Sequence, residues 1–197
     1  MAMVRPRAGG FVYSEADFAV MRRDVAILLE HGADGIVFGV LHSDGTVDVT
    51  RCGKMLEVAG GKQTGFHRAF DVVADATRAL DQLMDLGFTR VLTSGQQKTA
   101  LEGSELIARL IARAAQRIEV LPGGGIRAHN VRQLVEATRC TQVHMTAYAT
   151  QVDLSAVDSP VSFDSVPDAA SSAYDRVDRE TVQRVRETID RIGEEAG

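Results

Sequence analysis

The sequence predicts an alternating α/β protein on a (β/α)8-type barrel scaffold, and three observations carry that reading. Short apolar or β-branched runs begin near Met3, Asp34, Gln63, Arg90, Ile118 and Gln142, at intervals of about 24 to 31 residues. One strand with its crossover helix takes about 30 residues, so the rhythm is that of repeated βα units. The runs are continuously apolar, as in Gly35 to Leu41 and Arg90 to Thr93, which suits parallel strands covered by helices. Residues with chemistry stand at the C-terminal ends of many of these runs, where a barrel gathers them around one mouth. An open doubly wound sheet also places sites at strand ends. Its dinucleotide-binding form would show a GxGxxG turn after the first strand, and Arg5-Pro6-Arg7-Ala8-Gly9-Gly10 stands there instead.

The helices follow in order. Ser14 with Asp17 has the form of a capping box, and Phe18, Met21, Val25, Leu28 and Leu29 follow at helical spacing until Gly32. A second helix runs from about Thr50 to Gly60-Gly61, after an Asp44-Gly45-Thr46-Val47-Asp48 turn. Asp48 either caps that helix or points into the mouth as an acid or base. A third helix runs from about Asp75 to Gly87. Ser104 is placed to cap a fourth, and Asn130 a fifth bearing Val131, Leu134 and Val135. A C-terminal helix is expected over 178–195, with Val182, Val185, Ile189 and Ile192 on one face. Residues 148–175 are rich in Ser, Asp, Ala and Pro and read as a long loop. A single domain over 1–197 is expected.

The balance of 22 basic against 27 acidic residues gives a net charge of -5. That argues against a nucleic-acid partner, which needs a clustered basic face. No apolar run approaches the ~20 residues of a membrane span, and Arg5 and Pro6 interrupt any leader-like stretch at the start. Cys52 and Cys140 are far apart with no CxxC spacing; free thiols in a reducing, cytoplasmic compartment are the expectation.

Each cluster at a strand end admits a chemical and a structural reading. Arg5 and Arg7, two apart on a strand, would share a face and bind a carboxylate or phosphate, or else pair with acidic neighbours. His67, Arg68 and Asp71 fall within five residues. His67 would serve as general base or metal ligand, with Asp71 orienting it or pairing with Arg68, or all three would brace the loop. Gly123-Gly124-Gly125 would cradle an anion at a helix N-terminus, with Ser94 and Gly95 adding donors, or would simply make a tight turn.

Several of these segments together resemble the CutC family. They are MVRPRAGGFVYS (Met3 to Ser14), GADGIVFGVLHSDGTVD (Gly32 to Asp48), FHRAFD (Phe66 to Asp71), LTSGQ (Leu92 to Gln96) with ALEG (Ala100 to Gly103), GGGI (Gly123 to Ile126) and HMTA (His144 to Ala147). The resemblance covers residues 3 to 150 in the family's order, with Gly10, Gly65 and Thr146 departing from its usual residues. It implies a TIM barrel that starts at the third strand, with six of eight βα units. It also implies a part in copper homeostasis, with copper as ligand. His67, His144 and Cys52 are the candidates for a soft ion such as Cu(I), although their spacing carries no metal motif and buried thiols without metal are the other reading. The residues alone point instead to a small anionic or phosphorylated ligand, bound or turned over. A non-catalytic scaffold is the third reading. Open sheet edges would favour a homo-oligomer.

Overall fold

Five of the predicted strands form one sheet in simple chain order: β1 (Ala2–Met3), β2 (Gly35–Phe38), β3 (Gln63–Phe66), β4 (Arg90–Thr93) and β5 (Glu119–Pro122). Each runs parallel to the next. The computed structural model describes residues 1–155 and 173–196. By internal contacts these divide into two units, one made of 1–126 with 133–144 and the other of 127–132 with 145 onward.

Strand order decides between the two architectures. A doubly wound sheet reverses its order at a switch point, whereas here the order runs one way. Right-handed crossovers then all turn in the same sense and collect the helices on one face, as in a barrel. Side-chain burial agrees. Ile36, Phe38 and Phe66 on the helix-covered face are fully buried, while Met3, at the other end of the alternation, is 57% exposed. Phe88 bridges Phe38 and Phe66, its ring centroid 5.2 and 5.6 Å from theirs. The barrel is not closed. Among the described residues β1 has β2 as its one strand neighbour, and beyond β5 the sheet continues as a single parallel bridge from Gly123 to His144.

The sixth strand, expected from Gln142, is therefore one bridge and not a ladder. His144 N–H donates to Pro122 O at 2.8 Å, but Pro122 has no N–H to return, and the three glycines after it turn the chain away.

The helices of this unit are α1 (Glu15–Glu30), α2 (Val49–Ala59), α3 (Ala76–Leu86) and α4 (Ser104–Ala114). The Ser14/Asp17 capping box forms in both directions. Asp48 and Asp75 accept from the N–H groups of Arg51 and Arg78 at the starts of α2 and α3. Asp48 is therefore a cap. Its other oxygen lies near Arg51 Nε and His42 Nδ1. One expected cap differs. α4 has Gly103 at its cap position with no side-chain bond, because the tight approach of Gly103 to Gly95 fixes that end instead. Asn130 Oδ1 accepts from Arg127 N–H at 2.8 Å, closing the turn ahead of α5 (Val131–Thr138).

In the second unit β6 (Tyr148–Val152) pairs antiparallel with β7 (Ala173–Val177), and α6 (Arg179–Ala196) follows. Asp178 caps α6 through Thr181 N–H at 2.8 Å. The stretch read as a loop over 148–175 thus carries a strand at each end. Exposed strands with few large apolar residues lack the alternation that identifies a half-buried strand. Residues 156–172, the middle of that stretch, lie outside the described residues.

Candidate functional site

The C-terminal edge of the sheet gathers the chemistry because each strand ends as a chemical motif begins. His67 follows Phe66 directly, and Arg68 opens a 3-10 turn that runs to Val72. Neighbouring residues leaving a strand point to opposite sides, and that separates His67 from Arg68.

Arg68 turns toward β4 and β5. Its Nε donates to Asp71 Oδ2 at 2.6 Å and its Nη2 to Ser94 Oγ at 2.7 Å. The Asp71 side chain, 9% exposed, is a hub. Its Oδ1 accepts from Thr93 Oγ1 at 2.6 Å, Ser94 N–H at 2.8 Å and Gln96 N–H at 3.4 Å. Ser94 in turn donates to Gln97 O at 2.6 Å. A guanidinium held at two of its nitrogens loses rotamer freedom before any ligand arrives, which is what a preorganised anion site requires. Gly124, at φ +118, lets this group approach: a Cβ there would lie 3.2 Å from Ser94 Cβ and 3.6 Å from Arg68 Nη1. Among the described residues Arg68 Nη1 has no hydrogen-bond partner, and the side chain is 46% exposed. His144 lies beside Gly123, whose added Cβ would stand 3.3 Å from His144 Cβ. Burial first, then the Arg68 charge, holds the His144 imidazole below its ordinary pKa.

His67 turns the other way, toward β2 and β1. It is 3% exposed, and Gly39 gives it room: a Cβ on Gly39 would sit 2.7 Å from the imidazole Nδ1 and Cε1. Ala69 N–H donates to Nδ1 at 3.2 Å, so in the neutral ring the proton is on Nε2. Nε2 is buried with no hydrogen-bond partner among the described residues. The Phe11 ring lies 4.9 Å away and the Phe66 ring 6.1 Å. Burial, reinforced by the Arg5 charge, pushes the pKa of His67 down to about 4.

Several expectations change here. Asp71 holds Arg68 and the backbone of Ser94 and makes no bond to His67, so the pairing of His67 with an orienting Asp71 does not form. Arg5 and Arg7 do not share a strand face, because β1 ends at Met3. Arg7 is used locally, donating to Asp17 Oδ2 and to the carbonyls of Ala8, Gly10 and Val12. Arg5 donates to Gly9 O at 2.7 Å and stacks over Phe11. Residues 127–130 intervene between the glycine run and the start of α5 at Val131. Gly95, at φ +68, serves the close packing on Gly103. Ser94 and Gly124 do join one cluster with Arg68; Gly125 lies against Thr99.

The residues named for a soft metal are not brought together. Cys52 is buried on α2 with Sγ 4.0 Å from Val40 O, and desolvation pushes its thiol up to about 12. His67 sits among aromatic rings and His144 beside Gly123. Among the described residues no three His, Cys, Asp or Glu side chains come close enough to hold a metal ion. This donor set therefore does not fit Cu(I), which asks for clustered, deprotonatable thiolates or imidazoles. Cys140 is also buried and unpaired. It lines a cleft of about 810 Å³ with Thr89, Arg117 and Glu119 at the opposite, N-terminal end of the strands. No helix among the described residues is long and apolar enough to cross a membrane.

The sequence missed Gly39, Phe11 and Thr93 as parts of the site. Gly39 carried a signal of a kind, a glycine closing an otherwise bulky run. Phe11 and Thr93 read as ordinary apolar and strand residues.

Comparison with known proteins gives a consistent picture. The model of the CutC family matches residues 1–149. A "family protein CutC" of Treponema denticola is 51% identical over 147 residues, covering 75% of this chain and 60% of that protein. A human protein named copper homeostasis protein cutC homolog is 45% identical over 149 residues, 76% of this chain and 55% of that protein. The chain therefore spans little more than half the length of these relatives. A crystal structure of CutC from Streptococcus agalactiae superposes with a TM-score of 0.71 at 35% identity, covering 74% of this chain and 71% of that one.

Proposed function

This chain belongs to the CutC family, and on that basis we propose that it takes part in copper homeostasis, the role that the name of its human relative states. We propose further that it works through an anion-binding mouth at the C-terminal edge of the sheet, and not through a copper centre built from His67, His144 and Cys52. The observation that carries this reading is the Arg68 guanidinium, fixed by Asp71 and Ser94 against Gly124 with one nitrogen unpartnered among the described residues. A small carboxylate or phosphate is the complementary ligand, since a fixed guanidinium with a spare N–H edge is the group that proteins use for planar or tetrahedral oxyanions. His144 stands close enough to sense the charge of whatever binds. The buried, unpaired thiols suit a reducing, cytoplasmic setting. Among the described residues no strand pairs with the outer edge of β1, and Met1 and Met3 are exposed, which supports association between copies.

Inorganic phosphate is the probe. Titrated into the protein, it moves the His144 ring resonances and raises the His144 pKa, because a bound anion offsets the neighbouring guanidinium. Arg68→Met removes both effects while the fold survives. A His144 signal indifferent to phosphate in the wild-type chain rules the mouth out as an anion site.

A further inference from the structure

The second cluster, around His67, makes its own case and does not depend on the Arg68 mouth. A polar side chain that is 3% exposed ordinarily has every hydrogen-bonding atom satisfied. His67 satisfies one. Ala69 N–H fixes the tautomer by donating to Nδ1, and the Nε2–H that results is left buried with nothing to bond. Glycine at position 39 admits the ring to this place, since a Cβ there would collide with it. The fold thus excludes a side chain in order to bury a donor that it then leaves unpaired.

Against this imidazole lies Phe11. Its ring centroid is 4.9 Å from that of His67, with the two planes tilted by 54°, and the Arg5 guanidinium lies 5.1 Å from it. Phe11 is half-buried, on the segment between β1 and α1 that holds Gly9 at φ +89 and the unencumbered Gly10. The backbone of this segment is tied down. Arg7 bonds the carbonyls of Ala8, Gly10 and Val12, and Phe11 O accepts from Leu41 N–H at 2.9 Å. The ring can therefore swing about its own side-chain bonds while the loop stays in place. On swinging out it would leave a slot of about its own volume, bordered by the Arg5 guanidinium and the His67 imidazole.

We propose that Phe11 is a displaceable plug, and that its slot receives a small flat molecule bearing a carboxylate, which accepts a hydrogen bond from His67 Nε2–H and pairs with Arg5. The chemistry selects this class. The space is that of a flat aromatic ring, Arg5 supplies the positive charge, and His67 offers a donor and no acceptor at Nε2.

Benzoate is the probe, read by the imidazole ¹⁵N resonances of His67. In the wild-type protein millimolar benzoate shifts His67 Nε2. In Phe11→Ala the same shift appears at concentrations lower by about tenfold or more, because the ligand no longer has to displace the ring. Arg5→Met weakens binding by about tenfold in either background. Phe11→Leu, which keeps an apolar side chain, gives an intermediate affinity and serves in place of the alanine variant should that one fail to fold. A wild-type His67 Nε2 signal that stays fixed through the titration overturns the proposal. So does an affinity that is the same with and without Phe11. The Arg68 mouth reports separately at His144, so failure of one site does not mimic failure of the other.

Discussion

Removing the titration of His67 will flatten the acid side of this protein's stability curve. The imidazole is 3% exposed and its pKa is pushed down to about 4 from an ordinary 6.5. In the unfolded chain it takes up a proton near pH 6.5, whereas in the folded chain it resists until about pH 4. Between those values the unfolded state binds more protons, so stability falls as pH falls through this window and levels off below it. The gap of roughly 2.5 pH units is worth about 3.4 kcal/mol when complete, at 1.36 kcal/mol per unit. Between pH 7.5 and 4.5 the share realised is about 2.5 kcal/mol. His67→Asn is the informative variant, since Asn Oδ1 occupies the place of Nδ1 and can still accept from Ala69 N–H, but nothing titrates. Urea denaturation at both pH values gives the comparison, and carboxylates shared by the two proteins cancel. The wild type is expected to lose about 2.5 kcal/mol more than the variant over that interval. Equal losses would refute the argument, because they would mean that His67 is solvated or partnered in the folded chain.

Two further outcomes follow from the site. Asp71→Asn keeps the shape of the hub but removes the charge that accepts from Arg68, Thr93 and Ser94; it should cost about 2–3 kcal/mol in denaturant melts and weaken phosphate binding at the mouth. Stability unchanged within error would show that these bonds are replaced by water. Cys52→Ser and His144→Ala should leave Cu(I) stoichiometry unchanged in a competition with a chromophoric chelator, and Cys52 should resist iodoacetamide until the protein is unfolded, since its thiol is buried and its pKa is pushed up to about 12. A drop in copper bound by either variant would restore them as ligands.

The order and type of the first ten elements were legible because they rest on local physics. Continuous apolar runs of four or five residues must be covered on both faces, and helices such as α1 and α3 announce themselves through Ser14, Asp17 and Asp75 at one end and a glycine at the other. The hairpin of β6 and β7 was not legible, because exposed strands with few large apolar residues leave no burial pattern to read. The cap expected at Ser104 did not form, because the helix start is set by the close approach of Gly103 to Gly95, which the sequence does not show.

For the site, the sequence by itself determined which residues would stand at the ends of the strands, since that follows from where the apolar runs stop. It named His67, Arg68, Asp71, Ser94 and Gly123 to Gly125 on that ground. Only the tertiary structure decided how they divide. His67 and Arg68 are adjacent in the chain but leave β3 on opposite sides, so one joins Phe11 and Gly39, and the other joins Asp71, Ser94 and Gly124. The 3-10 turn set Asp71 on Arg68, three residues away, and strand register brought Thr93 and Ser94 to that pair. Sequence spacing gives the reach of a residue along the chain; the partner it meets is set by the neighbouring strand, and for that the folded sheet was needed.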